Sequence, residues 1–439
     1  MEFISQRPGW GRISSSAALS AALAVALLAG APAMHAQGGG SGEHWVGTWA
    51  TAVMAPRQAP QGQQQAQQNQ APRPVTAFNN QTLRQTVRVS IGGDRARVVF
   101  SNAFGTGPLA IGAARVALRQ SASAIVPKSD RALTFGGRPS TIIPPGALIV
   151  SDPVSMTIPD LGDLVIDLYL PEDTASTAMV TTMHATGLQT NYISQPGNHT
   201  GAADLAGAGT TQSYFFLSRV EVMAPQSVGA LVAFGDSITD GTRSTPDTNN
   251  RWPNHFAKRL IAQNRMGVMN LGISGNRVLS DGAGVSALAR FDRDVLAQPG
   301  VTHVVVLEAI NDVGGARENP SPTAEDLIVA HQQLAARAHA QGLKIFVSTL
   351  TPFEGAGYFT EVGEAKRQAF NKWVRSQNVY DGVIDFDAVT RDPQSPTKFL
   401  PKYDAGDHLH PSDAGYEAMA NAIDLALFKA GTMTTAATR

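Results

Sequence analysis

Apolar and polar positions along the chain follow two different rhythms. From about Thr82 to Val222 they alternate, as in Thr82–Ser90, Arg95–Phe100, Leu164–Leu170, Met179–Met183 and Tyr214–Val222. Glycine, proline and asparagine clusters such as Gly92-Gly93, Gly136-Gly137 and Pro144-Pro145-Gly146 separate these segments. A period of two with turn chemistry between segments predicts short antiparallel strands, and so an all-β sandwich or jelly-roll-like region. Beyond Ala224-Pro225 the alternation stops. Gly229–Phe234, Gly267–Leu271, Val301–Leu307, Leu343–Leu350 and Gly382–Phe386 are unbroken apolar runs, as expected of strands buried on both faces. Helix-period segments fall between and after them, at Trp252–Gln263, Val285–Leu296, Ala324–Gln341, Glu364–Arg375 and Pro411–Phe428. Alternating strands and helices predict a five-stranded parallel sheet with helices on both faces, in a compact flavodoxin-like order.

The N-terminus has a third pattern. Arg7 and Arg12 precede an alanine-rich apolar stretch, Ala17–Leu28, and small residues follow at Ala31, Ala33 and Ala36. This is the layout of a secretory signal peptide cleaved after Ala33 or Ala36, and the apolar run is short of the roughly 20 residues that span a bilayer. A tract of glutamine, proline and alanine from about Pro56 to Pro74 cannot bury enough surface to order itself. The expected division is therefore a signal peptide at 1–36, an N-terminal segment at 37–81, a β-rich accessory region at 82–224 and an α/β domain at 225–439.

Composition narrows the chemistry. The 439 residues are 43% apolar and 16% charged, with a formal net charge of −1, which offers nucleic acid or an anionic membrane no electrostatic attraction. The complete absence of cysteine removes thiol nucleophiles, disulfides and thiolate metal sites. The α/β half has the more reactive residues. Sites in open parallel sheets gather beyond the carboxyl ends of the strands. Those ends are Gly235-Asp236-Ser237 after the first strand, Ser274-Gly275-Asn276 after the second and Ala309-Ile310-Asn311-Asp312 after the third. Asp407-His408-Leu409-His410 follows the fifth. Acyl transfer needs a serine, a histidine base, an acid to orient that base, and donors for the oxyanion. Ser237, His410 and Asp407 supply the first three. The backbone N–H groups of Ser237 and Gly275 and the side-chain amide of Asn311 supply the last.

These blocks resemble those of the SGNH, or GDSL, hydrolase superfamily, whose four named residues match Ser237, Gly275, Asn311 and His410. The likeness covers about Val228–Phe428. It implies a three-layer α/β/α fold and ester or thioester hydrolysis, sometimes acyl transfer, without a cofactor or metal. Two positions depart from the family pattern: Ile238 stands where leucine is usual, and Ala309 where glycine is usual. If position 309 needs a positive φ, alanine there costs roughly 1 kcal/mol and could shift Asn311.

The neighbouring residues have plainer readings. Asp236 anchors the nucleophile's turn, Asp413 starts a helix, His408 is structural, and Asp404 is a rival acid at a less suitable spacing. His331 and His339 lack a carboxylate pattern that would make a metal site. Arg251 and Trp252, after a polar loop, and Phe353 and Tyr358, in an aromatic loop, are candidate substrate contacts. The expected activity is that of an exported serine carboxylic-ester hydrolase, secreted or periplasmic. Its expected partners are short acyl esters such as acetylated carbohydrate. An acyltransferase, a lipase or thioesterase, and a non-catalytic carbohydrate-binding protein are the alternatives. The sequence leaves the oligomeric state and the role of the β-rich half open.

Overall fold

The computed structural model describes residues 42–56, 77–175, 180–315 and 321–428. The signal-peptide pattern, the glutamine- and proline-rich tract apart from Pro56, and Met179 lie outside the described residues. Among the described residues no helix is long and apolar enough to cross a membrane.

The alternating half forms two antiparallel sheets. One orders Glu43–Ala50, Leu217–Pro225, Gly93–Ser101 and Val154–Ile158, with Leu148–Val150 also paired to Gly93–Ser101. The other runs Gly209–Thr211, Asn191–Pro196, Gln81–Arg88, Asp163–Leu170, Ala113–Ser121 and Ala124–Ile125, with Arg131–Leu133 on Ala113–Ser121. Glu43–Ala50, assigned from sequence to the segment before the β-rich region, is a full strand of it, paired from Glu43 to Pro225. The predicted Tyr214–Val222 strand is broken at Phe216, whose φ of 57° turns the chain between Tyr214–Phe215 and Leu217–Pro225.

Alternation does not make the polar face of Gln81–Arg88 a solvent face. Thr82, Arg84 and Thr86, which share that face, are all buried, because loops close over them. Arg84 makes a two-point ion pair with Asp167 on the adjacent strand, at 2.7 and 2.8 Å. Its remaining donors reach the carbonyls of Ser123 and Ala202.

The second half is doubly wound. Five parallel strands lie in the spatial order Gly267–Gly272, Ala230–Gly235, Val301–Leu307, Lys344–Ser348, Gly382–Ile384. In chain order this is 2-1-3-4-5, the flavodoxin-like arrangement, with its reversal beside the first strand. Helices Trp252–Gln263 and Asp413–Ala422 pack together on one face, and Ala324–Ala340 and Glu361–Ser376 on the other. Ala324–Ala340 follows from its sequence: Thr323 and Asp326 close a capping box, and Leu327, Ala330, Leu334, Ala335 and Ala338 form the buried stripe. Two predicted helices are shorter than expected. Val285–Leu296 becomes a helix at Ala287–Phe291 with a π-turn to Leu296, and Pro411–Phe428 becomes Asp413–Ala422 followed by a separate turn at Leu425–Phe428.

The two halves meet at the open edge of the parallel sheet, a position that would otherwise present unpaired backbone. Val268 of the edge strand donates its N–H to Ser90 Oγ at 2.7 Å. Gly47 lies so close that an added Cβ would stand 2.3 Å from Met269 Sδ. Arg84→Leu, which leaves Asp167 buried and unpaired, should lower unfolding stability by about 3–5 kcal/mol in urea titrations followed by tryptophan fluorescence.

Candidate active site

The order 2-1-3 sets the three strand ends named above side by side at the carboxyl edge. Gly235 must be glycine: a Cβ there would stand 2.2 Å from Thr239 Oγ1 and 2.5 Å from the carbonyl of Leu307. Asp236 then caps the short helix Ser237–Asp240, accepting from the Ile238 N–H at 2.9 Å, as its anchoring role requires. Ser237 is thereby held at the first turn of that helix, 4% exposed.

His410 Nε2 lies 2.8 Å from Ser237 Oγ, and His410 Nδ1 lies 2.9 Å from Asp407 Oδ2. Asp407 Oδ1 accepts from the backbone N–H groups of His410 and Leu409, at 2.9 and 3.2 Å, so the three-residue turn itself aims the carboxylate. Burial alone would raise the Asp407 carboxyl. The bonds from the His410 ring and backbone and from Arg243 outweigh it and hold the group far below the usual range. At His410 the balance reverses: burial lowers the imidazole and the Asp407 bond and charge only partly restore it. Asp404 is not the orienting acid, because it binds His408 Nδ1 at 2.5 Å instead.

The donor positions share the same edge. Gly275 has φ 81°, which accounts for glycine at that turn. Among the described residues, the N–H groups of Ser237 and Gly275 donate to no protein acceptor. Asn311 gives one amide hydrogen to the Asn276 carbonyl at 2.8 Å, which fixes the amide plane and leaves its second hydrogen. Ala309 does adopt a positive φ, 112°, fully buried.

Sequence reasoning missed the residues beneath the site. Arg290 is fully buried and spends all five N–H donors there. It binds Asn276 Oδ1 at 2.9 Å, the Leu271 and Gly235 carbonyls at 2.8 Å, Asp294 at 3.1 Å and Glu308 at 3.2 Å. Asp312 accepts from the Val278 and Leu279 N–H groups, tying the Gly275 loop to the Asn311 helix. Burial pushes Asp236 up to about 7 and Asp312 to about 6, and Glu308 well up. Arg243, also missed, donates to Asp407 Oδ2 at 2.9 Å from an exposed position. Asp413 starts its helix as expected and also holds the Thr242–Asn250 loop through the Thr245 N–H and the Asn250 amide.

Three of the four expected substrate contacts are corrected. Trp252 is completely buried against Phe386, and Arg251 is buried with its guanidinium on the Gly187 carbonyl, so both serve the interior. Phe353 is likewise buried, packed on Phe359 and Tyr358, because the aromatic loop covers the sheet. Tyr358 differs. Its ring lies against Gly314, where a Cβ would stand 2.5 Å from it, and its hydroxyl has no partner among the described residues. Burial pushes that hydroxyl up, and the charges of Asp236 and Asp407 add to it.

A hydroxyl, an imidazole and a carboxylate in hydrogen-bonded series, at the switch point of a doubly wound sheet and flanked by free donors, can carry acyl transfer. This is a serine-hydrolase arrangement. Residues 233–418 match the GDSL-like lipase/acylhydrolase family, and the α/β half is a domain of that family, that of a serine ester hydrolase. A search of the curated proteins finds no match. Similar solved structures include a variant of an acetyl xylan esterase from Geobacillus stearothermophilus, 22% identical at TM-score 0.37, covering 46% of this chain and 97% of that one. A GDSL-like lipase from Bacteroides thetaiotaomicron is 20% identical at TM-score 0.36, covering 45% and 87% respectively.

The positive φ at Ala309 yields a test. Ala309→Gly should raise stability by about 1 kcal/mol, read as a higher thermal midpoint, since glycine adopts that conformation without Cβ strain.

Proposed function

We propose that the protein is an exported serine esterase that hydrolyses short acyl esters of polar alcohols, acetylated carbohydrate first among them. The observation that carries the reading is the hydrogen-bonded series Ser237–His410–Asp407. Ser237 Oγ attacks the acyl carbonyl as its proton passes to His410 Nε2. Asp407 holds the ring with Nδ1–H directed at Oδ2 and stabilises the imidazolium. The oxyanion accepts from the backbone N–H groups of Ser237 and Gly275 and from Asn311. The imidazolium then protonates the departing alcohol. Water, deprotonated by the same imidazole, releases the acid and restores Ser237.

The polar alcohol is supported by the rim. The Arg243 side chain, bonded to Asp407, is 59% exposed, so a charged, hydrogen-bonding group stands beside the acid of the series. Such a rim would have to be desolvated to seat a long acyl chain. Export rests on the charged, apolar and small-residue sequence at the N-terminus.

Ser237→Ala should lower kcat for a chromogenic acetyl ester by about 10,000-fold or more, the scale seen when a nucleophile of this kind is removed. Unchanged turnover by the purified variant rejects the mechanism. The base must be neutral to accept a proton, and His410 is held below the ordinary histidine value. The acid limb of kcat/KM should therefore have its midpoint under about 6.5. A midpoint above that in a pH–rate profile rejects His410 as the base in this state.

A further inference from the structure

We infer that His184, a residue of the antiparallel half, is a positioning residue for the reaction, acting through Asp240 on both the nucleophile turn and the loop that carries Gly275. This rests on the proposed roles of Ser237 and Gly275.

His184 is 3% exposed and Asp240 5%. The two ring nitrogens of His184 face Asp240 Oδ1 at 3.0 Å and the Ala52 carbonyl at 2.9 Å. A carboxylate and a carbonyl only accept, so both nitrogens must donate. The ring is therefore an imidazolium, and the contact is a buried ion pair. Burial alone would lower this imidazole, but the charge and hydrogen bond of Asp240 and the bond to Ala52 raise it. The other charged and titratable groups around the pair are Arg251, which opposes the proton, Arg88, and the Tyr214 hydroxyl. Because the folded value is raised, the pair's contribution to stability is complete below the unfolded histidine value and fades as pH rises through the folded one.

Asp240 is the last residue of the Ser237–Asp240 helix, and its N–H donates to the Asp236 carbonyl at 2.9 Å. Its second oxygen accepts from Ser274 Oγ at 2.6 Å and from the Ser274 N–H at 3.2 Å. Ser274 immediately precedes Gly275. One carboxylate thus joins the turn that presents the nucleophile to the loop that presents an oxyanion donor. His184 neutralises that carboxylate and fixes its rotamer from outside the α/β domain. His184 is itself held rigidly, because Met183 and Met54 exchange both backbone hydrogen bonds, at 2.6 and 2.9 Å.

The test compares His184→Ala, His184→Gln and Ser274→Ala with the unsubstituted enzyme on para-nitrophenyl acetate. Active sites are counted by end-point labelling with a fluorophosphonate, so that unfolded protein does not enter kcat. We expect kcat per labelled site to fall on the order of 10- to 100-fold in His184→Ala and Ser274→Ala with KM little changed. His184→Gln, whose amide can still donate to Asp240, should recover most of that loss. A purely structural role would lower the labelled fraction and leave kcat per site alone. Unchanged kcat per site in His184→Ala, or in Ser274→Ala where His184→Ala does not fold, overturns the inference. Failure of the unsubstituted enzyme to label at Ser237 overturns the site assignment, and this inference with it.

Discussion

The geometry of the site depends on one buried guanidinium. Arg290 is buried and has no spare donor: its five hydrogens reach carbonyls at the ends of the first two parallel strands, the side chain of Asn276, and the carboxylates of Asp294 and of Glu308, the residue just past the third strand. Asn276 in turn receives the amide of Asn311 on its carbonyl. The loops that carry Ser237, Gly275 and Asn311 are thus referenced to a single planar group. A guanidinium suits this task because its forks are rigid and it stays charged in the interior, where a lysine would offer three donors in no fixed plane. It also lies over the Phe234 ring at 4.0 Å, which fixes its height in the core.

Burying that charge has a consequence for the acids around it. Asp236, Glu308, Asp294 and Asp312 surround one cation, and the dry interior penalises every ionised carboxylate that it does not neutralise. The affinity of Asp236, Glu308 and Asp312 for a proton is accordingly raised, burial being the largest cause at each. Asp407 lies outside this cluster, partly exposed and fed by four hydrogen-bond donors, which hold its carboxyl far below the usual range. Carboxyls close to one another are therefore shifted in opposite directions: burial raises Asp236, Glu308 and Asp312 beneath the turns, and hydrogen bonds lower Asp407, whose charge orients His410.

The antiparallel half adds two things to this arrangement. It covers the open edge of the parallel sheet through Ser90 and Gly47, and it inserts His184 beside the nucleophile turn. The cavity next to that pair is lined by Trp49, Arg88 and Tyr214 from one half and by Asp240, Asn249 and Arg251 from the other. The two halves thus share a polar interior, and the reacting groups of one depend on a proton carried by the other.

Much of this was legible in the residues themselves. Apolar runs without alternation determine strands buried on both faces, so the parallel sheet and its helices followed from periodicity. Ser237, Gly275 and Asn311 stood out because each lies just past a strand end, the Asp407–His410 pair because it directly precedes the last helix, and all because each supplies one part of a single reaction. Ala309 stood out only through the family resemblance, in which glycine is usual at that position; the positive φ itself is a finding of the structure. The sequence did not determine which aromatics face substrate: Trp252 and Phe353 are buried, and burial depends on what packs above a residue. Nor did it reveal Arg290 or His184. A buried ionic group is defined by its partners, and those of His184 lie 132 and 56 residues away along the chain. Local pattern carries the strand, the turn and the reactive side chain. Only the tertiary structure decides which distant charge ends up in the same dry space, because the interaction energy depends on separation and burial rather than on position in the chain.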